Sequence, residues 1–218
     1  VSRRRPQVAR GFTLIEVLLA TTLLAAGMAL AFAIVRSTLA ISTRGEIIAA
    51  QNERMRGVEG FLRRRLSSAM PLPLPKPDTD PTAQAFVFDG QPQQMRFVAD
   101  IPSYLGRGGP YVHSLEVSGE GETRELRIGL TLLQNGQLVL ENPPRGSELL
   151  VDGLKQVRLR YRGINPQNGG LGDWQDNWEQ PGRMPLLVAI DITPAQGAPW
   201  PQLVVSVPQY GALPGQWR

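Results

Sequence analysis

The chain has 218 residues and no cysteine, so it is long enough for one domain of ordinary size and can hold neither a disulfide framework nor a thiolate metal site. Its formal net charge is +4, and four amino-terminal arginines, Arg3, Arg4, Arg5 and Arg10, account for all of it. The remainder is balanced, which excludes the broadly basic surface that a nucleic-acid partner needs.

Behind these arginines the chain becomes apolar, and no charged residue occurs from Val17 to Val35. A cationic leader stays on the cytoplasmic side while such a stretch enters the bilayer. The junction Gly11-Phe12 lies on the cytoplasmic side of the apolar stretch, whereas a secretory signal places its small residues and its cut beyond the apolar core. The signal is therefore inverted, and residues 12–35, roughly 36 Å long as a helix, are expected to remain as a membrane span. Glu16 is the one carboxylate inside the span. It costs about 2.5–3.5 kcal/mol at the bilayer centre and less near the interface, so it calls for an amine partner or for snorkelling to the headgroups.

Past Arg36, the residues Ile47, Ile48, Met55, Val58, Leu62 and Leu66 recur at spacings near three and four, with Glu46, Glu53, Arg54, Glu59 and Arg63 on other faces. This pattern predicts an amphipathic helix over residues 36–70 that seeks a sheet to cover, locally weakened by Gly45, Gly57 and Gly60. The run Arg63, Arg64 and Arg65 reads either as an anion or partner patch or, preferably, as a solvated last turn whose cations suit the helix C-terminus. Pro71 is expected to stop the helix, with Pro73, Pro75, Pro77 and Pro81 forming an extended connector.

The rest, residues 71–218, reads as a β-rich globular region. Short strands are predicted over Ala85–Asp89 and Met95–Ala99, separated by Gly90 and Pro92. Leu126, Ile128, Leu130 and Leu132 alternate up to Asn135-Gly136, a type I′ pair, and Leu138 and Leu140 return. A two-residue loop sets Leu138 opposite Leu133, so either a bulge or apolar contact on both faces is expected. After Pro143-Pro144 come Glu148–Val151 and Leu154–Arg162, in which Val157, Leu159 and Tyr161 oppose Arg158, Arg160 and Arg162 on a wet face that discourages edge pairing. Leu186, Val188, Ile190 and Ile192 precede a turn at Pro194–Gly197, and Leu203, Val205 and Val207 form the last strand. A helix first and strands afterwards predict an α+β body, a long helix packed on an antiparallel sheet.

Few residues suggest catalysis. His113 is the only histidine, and no serine or acid near it forms a recognisable nucleophile motif, so a strand or loop histidine without catalytic task is expected. Gly106, Gly108 and Gly109 form a turn cluster outside any phosphate-loop context. Asp173, Asp176 and Glu179 are oxygen ligands at close spacing, but they lack the full series and central glycine of a calcium loop. Trp174 and Trp178 among them are expected to anchor the domain's own core, with a partner contact as the alternative. No cofactor or metal is implied.

The run Arg10-Gly11-Phe12-Thr13-Leu14-Ile15-Glu16-Val17 resembles the type IV prepilin class. The resemblance implies cleavage after Gly11 by a membrane peptidase, methylation of the new Phe12 terminus, retention of the apolar helix, and a role in assembly for Glu16. The Phe12 amine would then lie one turn from Glu16, in this chain or in a staggered neighbour. Leu149–Tyr161, then Trp174 and Trp178, then Pro185–Ile192, resemble the minor pseudopilin J family of type II secretion systems. That likeness implies the pseudopilin fold and no enzymatic activity. It implies an inner-membrane protein with its body in the periplasm, and partners among minor pseudopilins I, K and H, the major pseudopilin and the prepilin peptidase. The upper helix, near Leu39, Ile47 and Ile48, would meet a second pseudopilin. Such a subunit would help to form the pseudopilus tip that primes growth and export. A minor type IV pilin, or a single-pass anchored enzyme or ligand-binding domain, is the alternative.

Overall fold

The computed structural model describes residues 11–75, 86–101, 108–140 and 146–209, except for the side chains of Ala40, Ile41 and Ile47. The leader arginines, Pro77, Pro81, Ala85, Gly106, Pro143-Pro144 and the side chain of Ile47 therefore lie outside the described residues. The chain divides into two units, residues 1–54 and 55–218.

One helix, α1 (Leu14–Ser67), runs through the first unit and supplies the start of the second. It begins two residues later than residue 12 because Thr13 takes the N-cap position. The Glu16 backbone N–H donates to the Thr13 carbonyl at 3.0 Å and to Thr13 Oγ1 at 3.3 Å, satisfying a donor that the first turn leaves free. Every described side chain from Gly11 to Arg54 is exposed. The most apolar 18-residue window of α1 has a mean hydropathy of 2.3, and none of it is buried among the described residues; by length and composition the helix is able to cross a membrane.

In the second unit, among the described residues, nine strands form one antiparallel sheet: β1 (Ala69–Met70), β2 (Phe88–Gly90), β3 (Gln94–Ile101), β4 (Gly109–Ser118), β5 (Arg124–Gln134), β6 (Gln137–Val139), β7 (Glu148–Arg162), β8 (Leu187–Pro194) and β9 (Leu203–Ser206). Their order is β1-β3-β4-β5-β7-β8-β9; β2 shares the β3 edge with β1, and β6 shares the β5 edge with β7. Val58, Leu62 and Leu66, four residues apart on α1, cover the face that carries Met95, Phe97, Leu115, Leu126, Leu159 and Val188. A smaller cluster of Leu74, Val98, Val112 and Leu133 lies beyond it, joined by Met70 and Leu72, so the segment after the helix packs instead of merely connecting.

Two expectations need correction. The helix stops at Ser67, not at residue 70, because Pro71 biases Met70 to extended backbone and Ala69–Met70 pairs with β3 instead. Strand β4 carries His113, expected in a strand or a loop, at an inward position between Tyr111 and Leu115. Glu148–Val151 and Leu154–Arg162 are one strand, with Gly153 at φ +62° where the pairing with β5 and β8 slips register. The hairpin is settled in favour of the strict two-residue loop, with Asn135 at φ +51°, Gly136 at φ +74° and Leu133 opposite Leu138. Apolar contact on both faces of β5 makes this possible: Leu126 and Ile128 enter one cluster and Leu133 the other.

Candidate functional site

The candidate site is the start of α1. Gly11 and Phe12 precede the helix outside regular secondary structure; an added Cβ at Gly11 would meet nothing within 4 Å, and Phe12 is 82% exposed. Glu16 follows one turn into the helix. Phe12, Glu16, Val17, Ala20, Thr21 and Leu24 line one shallow, largely apolar groove, in which Glu16 is the only ionisable group. Thr13 and Glu16 are spaced as the first and fourth members of a capping box, so a carboxylate at this position also suits the positive end of the helix. Inside the apolar stretch the hydroxyls of Thr21 and Thr22 donate to the carbonyls of Leu18 and Leu19 at 3.1 and 2.9 Å, which removes their need for water. Leu39 and Ile48 lie farther along the same helix, exposed at 63% and 49%, and are not brought to Glu16.

The other residues singled out by sequence resolve into structural roles. Within the last turn Arg63 and Arg64 are exposed as expected, whereas Arg65 is half-buried; Arg63 Nη1 donates to the Val204 carbonyl on β9 at 3.3 Å, and Arg65 Nη1 to the Asp100 carbonyl on β3 at 2.6 Å. These two bonds tie the helix to opposite flanks of the sheet. The arginine face of β7 is wet at Arg158, as expected, and partly covered at Arg160 and Arg162. Arg158 binds Asp176 in a bidentate pair at 2.8 and 2.9 Å, Arg160 binds Asp191 at 3.0 Å, and Arg162 reaches the Gly172 carbonyl. Trp174 lies 5.7 Å from the guanidinium carbon of both Arg160 and Arg162. The loop after β7 thus folds back over this face, fastened by paired backbone bonds between Tyr161 and Gln175 at 2.8 Å.

Trp178 anchors the core as expected, 1% exposed, with its indole N–H donated to the Arg183 carbonyl at 3.0 Å. Asp176 is committed to Arg158, and among the described residues no group of three or more histidine, cysteine or acidic side chains could hold a metal ion. His113 is a buried strand residue, stacked on Phe97 with ring centroids 5.2 Å apart. Burial, and secondarily the Arg65 charge, hold its imidazole well below the ordinary range, at about 4, against the opposing bond to the Tyr111 carbonyl.

The family model for type II secretion system protein J matches residues 33–206, and that for the prokaryotic N-terminal methylation motif matches residues 7–32. This chain belongs to the type II secretion system protein J family. The type II secretion system protein J of Xanthomonas campestris pv. campestris is 55% identical over 207 residues, covering 95% of this chain and 96% of that protein. Among solved structures, a chain in the GspK-GspI-GspJ complex from enterotoxigenic Escherichia coli aligns at a TM-score of 0.49 and 16% identity, covering 72% of this chain and 98% of that one. A member of the protein J family is a minor pseudopilin, a structural component of the secretion machinery. The J-family match extends well beyond the motif shared with type IV pilins and so separates this chain from them.

Proposed function

We propose that the chain is cut after Gly11, methylated at Phe12, and held in the inner membrane by residues 12–35, with its body in the periplasm. It joins minor pseudopilins I, K and H and the major pseudopilin at the tip of a pseudopilus, whose growth moves folded exoproteins outward. Its work is mechanical, with energy supplied by another component of the machine. The observation that carries this reading is the division of α1: Val58, Leu62 and Leu66 are buried in this chain's own core, while the described side chains through Arg54 are all left exposed. The apolar part of that exposed length suits lipid, and the part that follows Arg36, with Leu39 and Ile48, suits the helix of a second pseudopilin.

Glu16 fits the same scheme, because a carboxylate in hydrocarbon is stabilised by an amine, and a neighbouring subunit's Phe12 terminus supplies one. Mass spectrometry of the membrane-extracted protein tests the reading. A mature chain beginning at methylated Phe12 is expected, and Gly11→Val should leave the arginine leader attached. A Phe12 terminus in that variant, or an uncut wild-type chain in a host with prepilin peptidase, defeats it.

A further inference from the structure

His113 is the one buried side chain of polar or charged type among the described residues. It lies on the inward face of β4, stacked on Phe97 of β3 and paired in register with Leu130 of β5. Its Nδ1 is 3.0 Å from the Tyr111 carbonyl, which only accepts, so Nδ1 carries the proton and Nε2 holds a lone pair with no protein partner. From α1, Arg65 reaches into the same region: its Nη1 is fixed on the Asp100 carbonyl, its Nε is buried, and its guanidinium lies 5.9 Å from the Phe61 ring. The Asp100 residue itself is exposed, and Phe97 and Leu130 carry no charge, so the charged group set against His113 is the cation Arg65.

We propose that neutral His113 is a proton-sensitive seat for the docked end of α1, and that its protonation loosens helix residues 58–66 from β3 and β4. The reason is the pairing of two cations in an apolar layer: an imidazolium beside Arg65 would be desolvated and repelled at once, and undocking the helix relieves both. The sign follows from the depressed value of about 4 against an ordinary 6.5. Above pH 6.5 neither state takes a proton and docking is unaffected; between 6.5 and 4 the undocked state takes it first, so docking weakens as pH falls. At pH 5 the undocked population should rise about 30-fold over its value at pH 7.5.

Because the chain holds a single histidine, its imidazole resonance can be followed without assignment in the full-length protein in detergent micelles. The ring should stay neutral until below pH 5. Hydrogen exchange over residues 58–66, corrected for intrinsic rates, should quicken about 30-fold between pH 7.5 and 5. His113→Gln should remove most of that acceleration, and Arg65→Gln should move the ring's midpoint upward. A folded-state midpoint near 6.5 overturns the proposal, as does equal acid loosening in His113→Gln. Should His113→Gln not fold, an unchanged midpoint in Arg65→Gln overturns it independently.

Discussion

Trp178→Ala separates core anchoring from surface contact in the loop that follows β7. The indole is almost wholly buried, and its backbone exchanges hydrogen bonds with Gly90 at 2.8 and 3.4 Å, so the residue joins this loop to the end of β2. Removing a buried Trp side chain costs about 3–5 kcal/mol, a large part of the roughly 5–15 kcal/mol that holds a domain together. Trp174 offers a control within the same loop. It is half-buried and held by two guanidinium contacts, each good for about 0.5–1 kcal/mol, so Trp174→Ala should cost nearer 1 kcal/mol.

The fit around Trp178 gives a second, coupled test. A Cβ at Gly163 would come within 2.3 Å of the indole Cη2 and 2.8 Å of Cζ3, so Gly163→Ala alone should cost about 1–3 kcal/mol through overpacking. With the indole gone, that methyl enters the space left behind, and the double variant should be less destabilised than the two single costs combined. Urea unfolding of the full-length protein in detergent, followed by far-ultraviolet circular dichroism, measures all four. A Trp178→Ala cost no greater than that of Trp174→Ala, or strict additivity with Gly163→Ala, refutes the assignment of Trp178 as the loop's anchor.

Glu16→Ala should be inserted and processed but absent from assembled pseudopili; normal incorporation with unchanged secretion would show that the carboxylate has no assembly role. Leu62→Ala, in the core, should lower unfolding stability by about 2–5 kcal/mol. By contrast, exposed Ile48→Asp should leave stability within about 0.5 kcal/mol while abolishing association with pseudopilin I at both low and high salt. Wild-type binding that vanishes in salt and survives Ile48→Asp would mean that charge, not the helix face, holds the partner. Gly136→Val should cost about 1–3 kcal/mol and speed amide exchange in β5 and β6, because φ of +74° strains a branched residue; an unchanged urea midpoint would argue against the type I′ turn.

Local chemistry sufficed for the N-terminal motif, the long helix, the Asn135-Gly136 turn and most strands. Each rests on short-range rules: charge beside an apolar run, three-to-four spacing, positive φ at an Asn-Gly pair, and alternation along β7 and β8. The stripe Val58, Leu62 and Leu66 likewise announced which part of the helix would be buried. Tertiary structure decided what neighbours in space do to polar groups. Arg65, Arg160 and Arg162 read as solvated because a sequence shows their charge but not the carbonyls and carboxylates that fold over them. The facing of His113 was decided in the same way, since whether it meets core or water depends on Phe97 across the sheet and Arg65 on the helix, residues far away in the chain. Short-range patterns specify backbone form and facing, whereas the partner of a buried polar atom is a long-range fact that exists only once the helix has settled on its sheet.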